Sequence, residues 1–304
     1  MIEVVRAGAL TTVQDHGRPG WAHLGVPRAG ALDQPALALA NRLVGNPPAA
    51  AGLEITLTGC TLRFPTGATI ALTGAPAPMQ LGTAQPAGTA QPGTTRPAGR
   101  PMGFLTPEPV PAGGQVRIGP AQHGVRSYLA VAGGIAVPPV LGSRSTDTLA
   151  GIGPAPLTDG DVLPIGDDPA AGRTVGLLTA ADAIGWSAPP DPVRLAIRLG
   201  PRADWFTDEA VRRLLGTAYA VSPVSNRIGV RLTGPALPRA IAEELPSEGL
   251  VLGAVQVPTD GQPLIFLADH PTTGGYPVIG VVDDVTALAQ ARPGTTVQFH
   301  GPQR

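Results

Sequence analysis

The sequence predicts a mainly β protein built from two β-rich units in tandem, and three observations predict it. Glycine (41) and proline (36) are abundant while aromatics make up only 4% of the 304 residues. That balance favours many short strands between turns over long helices. The apolar runs are short, rich in Val and Ile, and bounded by Gly, Pro or Asp, as strands joined by tight connections are. Three landmarks also recur in the same order in the two halves. Leu24-Gly25-Val26-Pro27-Arg28-Ala29 resembles Leu199-Gly200-Pro201-Arg202-Ala203. A short helix follows each and ends in an apolar residue and glycine (Val44-Gly45; Leu215-Gly216), and a strand then reaches Leu-Thr-Gly at 57–59 and 232–234. The boundary is expected near residues 172–192, where AAGR and SAPPDP interrupt the apolar pattern, giving units at 1–180 and 190–304.

Residues 2–10 read as a strand and residues 11–20 as a polar turn. Residues 31–45 are the clearest helix. Asp33 is placed to cap it, Pro35 sits in its first turn, apolar residues follow helical spacing, and Gly45 ends it. Residues 53–64 and 68–73 alternate as strands do. Residues 82–101 hold the near-repeat GTAQPAGTAQPG and lack large apolar side chains, so a mobile loop without a catalytic role is expected. Residues 115–118 and 127–132 resume strand character. Residues 194–216 read as strand, turn and short helix. Residues 264–268 and 277–282 read as strands flanking a polar turn, and a closing strand covers 294–299 after a helical turn or two at 286–291.

Composition excludes several kinds of chemistry. Every one of the 21 basic residues is arginine, so Schiff-base chemistry, a lysine base and a covalently attached biotin are ruled out for this chain. The single Cys60 rules out an internal disulfide and argues against a cysteine zinc site. A net charge of −1 gives no electrostatic case for nucleic acid or an anionic membrane. No run of 18 apolar residues and no basic-led apolar leader occurs, so a cytoplasmic protein with no membrane partner is expected.

Three polar clusters carry candidate chemistry. Asp15, His16 and Arg18 place a carboxylate, an imidazole and a guanidinium together, able to bind a small anion or move a proton, or else to fix the turn as a local ion pair. Arg144, Ser145 and Thr146 sit in a glycine-rich turn with an anion-binding composition, although it lacks the lysine of a P-loop; the alternative is that the hydroxyls only cap local backbone. Asp269, His270, Thr272, Gly274 and Tyr276 fall within eight residues, where paired glycines allow close approach of a ligand; the alternative is a polar hairpin tip. Arg144 is the leading anion clamp and Arg18 the second, because arginine is this chain's only permanent cation. Asp15, His16, Asp269 and His270 are candidates for proton transfer or orientation, Tyr276 for donation to a developing oxyanion, and Thr272 and Gly274 for substrate contact. No metal set is expected.

Five long motifs then appear in order across nearly the whole chain: VQDHGRPGWAHLGVPRAGALD, ANRLVGN, YLAVAGGI with LGSRST, SNRIGVRLTG, and GAVQVPTDGQPLIFLADHPTTGGYPVIG. They resemble the biotin-dependent carboxyltransferase family, also called allophanate hydrolase subunit 2, and within it the chains that serve as the C subunit of bacterial 5-oxoprolinase. The resemblance implies tandem cyclophilin-like β-barrels and a working heteromeric complex with the B-like and A-like subunits of 5-oxoprolinase. It implies ATP-driven hydrolysis of 5-oxoproline to L-glutamate, with ATP held mainly by those partners, since no phosphate cradle is visible here. Two other readings follow from the same family. One is carboxyl transfer from biotin, carried on another chain, to urea or another amide. The other is a regulatory subunit that binds a kinase-inhibitor protein and has no chemistry of its own.

Overall fold

A computed structural model describes residues 1–83, 99–167 and 186–301, which fall into two compact units. The first comprises Met1–His16, Asp33–Thr146 and Gly153–Ser187, and the second Gly17–Leu32, Asp147–Ile152 and Ala188–Arg304. The structure is mainly β, with two α-helices among the described residues. No helix among them is long and apolar enough to cross a membrane. The expected boundary region at 172–192 lies largely outside the described residues, as do residues 84–98 of the expected loop. The ends of that loop are strand: Met79–Thr83 pairs antiparallel with Arg100–Met102.

The first unit packs two sheets around one core. The six-stranded sheet runs Val162–Leu163, Ile2–Arg6, Cys60–Phe64, Gly114–Ile118, Met79–Thr83, Arg100–Met102. The five-stranded sheet runs Leu10–Gln14, Gly52–Thr56, Arg126–Val131, Ala68–Gly74, Glu108–Val110. Alternation along each strand sends one side chain in two into the shared core, where Val4, Leu62 and Val116 of one sheet join Leu53, Leu72 and Leu129 of the other.

Arg126–Val131 is buried on both faces. Leu129 and Val131 enter the inter-sheet core, while Ala130 packs with Ala71 against Ala40 and Leu43 of the helix and Val44 at its C-cap. Small residues on the outer face let the helix lie close to the sheet. That helix is Gln34–Leu43, with Asp33 accepting from the Ala36 amide at 3.0 Å, Pro35 in its first turn, and Gly45 at φ 78° just beyond it. Its buried face includes Asn41, whose amide donates to the Ala50 carbonyl at 2.7 Å and so ties the helix to the following turn.

Two strand expectations needed correction. The expected strand 2–10 is instead Ile2–Arg6, and residues 11–14 are not turn but all except the first residue of a separate strand in the other sheet, Leu10–Gln14, paired with Gly52–Thr56; the β-branched Thr11, Thr12 and Val13 suit the pleat. Residues 53–64 are two strands in different sheets, because Leu57 (φ 54°) and Gly59 (φ 73°) turn the chain between them. At Gly59 a Cβ would lie 2.1 Å from the Ile118 carbonyl oxygen, so only glycine fits the corner.

The second unit is a closed barrel in the order Val193–Leu199, Val278–Val282, Ala254–Gln256, Leu264–Phe266, Gly229–Thr233, Ala218–Val221, Thr296–His300. Parallel pairing of Val193 with Val297 and Leu195 with Phe299 closes it. The helix Asp208–Gly216, capped by Thr207, drops Ala210 and Leu214 into the barrel's core cluster. The strands at 264–266 and 278–282 do not pair with each other. Each borders Ala254–Gln256, so the polar turn connecting them is not a hairpin tip.

Candidate functional site

In the first unit Asp15 follows the strand Leu10–Gln14 and is buried. One carboxylate oxygen accepts from the hydroxyls of Ser143 and Ser145, both at 2.6 Å, and the other from the Arg144 amide at 2.6 Å. The Thr146 amide donates to the Val13 carbonyl at 2.8 Å, and the Gln14 side-chain amide donates to the Thr146 carbonyl at 3.0 Å. Asp15 and the turn 143–146 therefore meet, as two of the predicted clusters, although 128 residues separate Asp15 from Ser143. Their contact satisfies the carboxylate with donors of this turn, an arrangement that holds the turn in shape. The Arg144 side chain donates from Nε to the Val137 carbonyl at 2.8 Å. Ser145 and Thr146 are buried, and His16 is exposed.

The second unit holds the other constellation. Asp269, 0% exposed, forms a two-pronged ion pair with Arg227: Nη2 to Oδ1 and Nε to Oδ2, both at 2.9 Å. Oδ2 also accepts from the Thr148 hydroxyl at 2.6 Å and its amide at 3.0 Å. Arg227 reaches on to the Gly30 carbonyl at 2.7 Å. Two buried opposite charges so fully satisfied fix four chain segments, at Gly30, Thr148, Arg227 and Asp269, to one another within this unit.

Beside them lies a cavity of about 220 Å³. Its polar lining comes from Arg18, Arg28, His270 and Thr272, and its apolar wall from Val26, Pro27 and residues 250–252. Arg18 is 2% exposed, and its amide donates to the Arg28 carbonyl at 2.7 Å, which closes the segment 18–28 into a loop around the cavity. His270 is largely buried, with Nδ1 2.7 Å from the Pro271 carbonyl oxygen. Burial first, with the Arg28 charge adding, holds its pKa below the usual imidazole value. Among the described residues no group of three or more His, Cys, Asp or Glu is placed to hold a metal ion.

Of the predicted residues, Arg18, His270 and Thr272 thus meet at one cavity. Asp269 is locked behind it in its ion pair. Gly274 lies in a two-residue strand paired with Glu248, where a Cβ would come within 2.8 Å of Gln256 and Leu250 side chains. Tyr276 is 44% exposed with the Arg239 guanidinium 5.7 Å over its ring, outside the cavity. Arg28, Arg227, Ser143 and Thr148 were not among the predicted site residues. Arg28 and Arg227 stand inside two of the quoted motifs, GVPRAG and SNRIGVRLTG, which was the available signal.

Residues 24–301 match the family described as carboxyltransferase domain, subdomain A and B. The chain is 40% identical to the C subunit of 5-oxoprolinase from Escherichia coli (strain K12), over 98% of this chain and 90% of that protein. Among solved structures it superposes on TTHA0988 with a TM-score of 0.82 at 36% identity, covering 99% of this chain and 56% of that one. It also superposes on the K. lactis urea amidolyase with a TM-score of 0.83 at 28% identity, covering 99% of this chain but 19% of that one. The chain thus spans little more than half of one solved relative and a fifth of the other. With the family match covering most of its length, the chain belongs to the carboxyltransferase domain, subdomain A and B, family.

Proposed function

We propose that this chain is the C subunit of a 5-oxoprolinase complex, which hydrolyses 5-oxoproline to L-glutamate at the expense of ATP. The observation that carries the reading is the near end-to-end correspondence with the C subunit of the Escherichia coli 5-oxoprolinase, 90% of whose length the chain covers. The cavity of the second unit supports the reading chemically, because two guanidinium-bearing residues at a small cavity suit a substrate with a permanent carboxylate. At about 220 Å³ it is below the roughly 300–1,000 Å³ of a typical drug-sized ligand site, which suits a small substrate. Because the sequence holds no P-loop and no lysine, ATP is assigned mainly to the B-like and A-like partners, and this chain's part is to bind and orient.

Biotin-dependent carboxyl transfer to urea or another amide is the second reading. The family description and the likeness to urea amidolyase favour it. The absence of lysine leaves room for it only with biotin on another chain. Co-expression with the A-like and B-like partners decides between them. The expected result is one co-purifying species that releases glutamate from 5-oxoproline only with ATP. Separate elution of the three proteins, or bicarbonate- and biotin-dependent carboxylation of urea without glutamate release, would replace the first reading by the second.

A further inference from the structure

The cavity of the second unit has a donor and acceptor pattern more specific than its positive charge. Arginine guanidinium groups offer only donors, and Arg18 and Arg28 both line it. Among the described residues no carboxylate lines it, so nothing there receives a cation. His270 supplies the opposite function. Its Nδ1 lies 2.7 Å from the Pro271 carbonyl oxygen, and a carbonyl oxygen can only accept, so Nδ1 carries the proton. With the ring held neutral by burial, Nε2 is left as a lone-pair acceptor. Arg28, Asp269 and Asp147 are the charged groups that act on this imidazole. The rest of the wall is apolar, from Val26, Pro27 and residues 250–252, and the Thr272 hydroxyl can donate or accept.

A ligand that satisfies this lining carries an anion at one end, an N–H donor for His270 and a short apolar ring between them. We propose that this cavity binds a small cyclic amide carboxylate, with its carboxylate toward Arg28 and Arg18 and its ring N–H donated to His270 Nε2. This deepens the 5-oxoprolinase reading and rests on it for the identity of the ligand. The site itself is argued from the second unit alone, and binding requires neither partners nor nucleotide. A buried acceptor that discriminates by an N–H is selective because an analogue without the N–H leaves it unpaired.

The test is calorimetric titration of the full chain with four probes: 5-oxoproline, cyclopentanecarboxylate (no N–H), 2-pyrrolidinone (no carboxylate) and inorganic phosphate. 5-Oxoproline should bind at least about tenfold more tightly than each of the others, as one charge-assisted or buried hydrogen bond is worth. Arg28→Gln, at an exposed position, should lose that affinity with the melting temperature unchanged. His270→Phe should bring 5-oxoproline and cyclopentanecarboxylate to similar affinity. Should His270→Phe fail to fold, Thr272→Val together with the four-probe comparison on the unaltered chain still decides the matter. Equal binding of 5-oxoproline and cyclopentanecarboxylate, phosphate binding as tight as 5-oxoproline, no binding at all, or full affinity in Arg28→Gln would each overturn the proposal. If the assembled complex releases glutamate while the chain shows one of those results, the cavity assignment falls and the enzyme reading stands. If the chain binds as described and the complex makes no glutamate, the enzyme reading falls and the site stands.

Discussion

Asp269 commits both carboxylate oxygens to Arg227 and Thr148, so little of its acceptor capacity is left for substrate. Removing one member of such a buried pair strands the other's charge in the interior, at a cost of about 3–5 kcal/mol. Arg227→Met should lower the unfolding free energy in urea by that amount, and Asp269→Asn should lower melting temperature and turnover together. Loss of turnover in Asp269→Asn at an unchanged melting temperature would instead place Asp269 in the chemistry. His270 makes a pH prediction. Its folded pKa lies below the usual 6.5, so the unfolded chain binds the proton more readily. Its contribution to stability is present above about pH 6.5 and is lost as pH falls from there toward the folded value. Melting temperature should drop from pH 7.5 to 5.5, and His270→Gln should flatten that drop; an equal slope in the variant would refute it. At this scale the sequence revealed residue types but not their partners. Asp269 read as a candidate for proton transfer in a polar turn because its ion-pair partner Arg227 stands 42 positions away. Arg28 went unnoticed because its neighbours in the chain are apolar and only folding brings it to His270.

Elements were more legible where the information is local. Asp33, Pro35 and Gly45 announced both ends of the first helix, since caps depend on a few adjacent residues, whereas the Thr207 cap of the second emerged only from the structure. The corner at Leu57–Gly59 was hidden because Leu-Thr-Gly is equally compatible with an uninterrupted strand. The turn 143–146 is held by a carboxylate contributed from the strand end at Asp15, and that dependence can be tested. Asp15→Ala removes the acceptor for two hydroxyls and one amide, each such bond to a charge being worth roughly 1.5–3 kcal/mol. Brief trypsin treatment should then cut after Arg144, which resists in the unaltered chain, while the barrel unit remains folded. Continued resistance at Arg144 would show that the backbone bond from Thr146 to Val13 holds the turn by itself.

For the whole molecule, a mainly β architecture followed from composition, whereas the segments Gly17–Leu32 and Asp147–Ile152 group with the second unit and not with the first as the order of the chain suggests. The closed seven-stranded barrel did not follow from composition, because ring closure rests on pairing strands a hundred residues apart, Val193 with Val297. Sheets made from such distant strands open cooperatively, since no strand keeps its partners alone. Cys60 turns that property into an observable. It begins a strand inside the six-stranded sheet, is 2% exposed, and burial pushes its thiol up to about 12. A thiol so hidden and so reluctant to ionise is inert to disulfide reagents until the sheet opens. The protein therefore carries one built-in reporter, placed in the first unit. In a Trp186→Phe variant, whose remaining Trp21 and Trp205 both belong to the second unit, reaction with a chromogenic disulfide at neutral pH should be negligible over minutes, then accelerate in urea with the opening of the first unit, while tryptophan fluorescence of the second unit follows its own course. Coincident curves would mean that the two units unfold as one; separated curves would give the first unit a stability of its own, measured at a single sulfur atom.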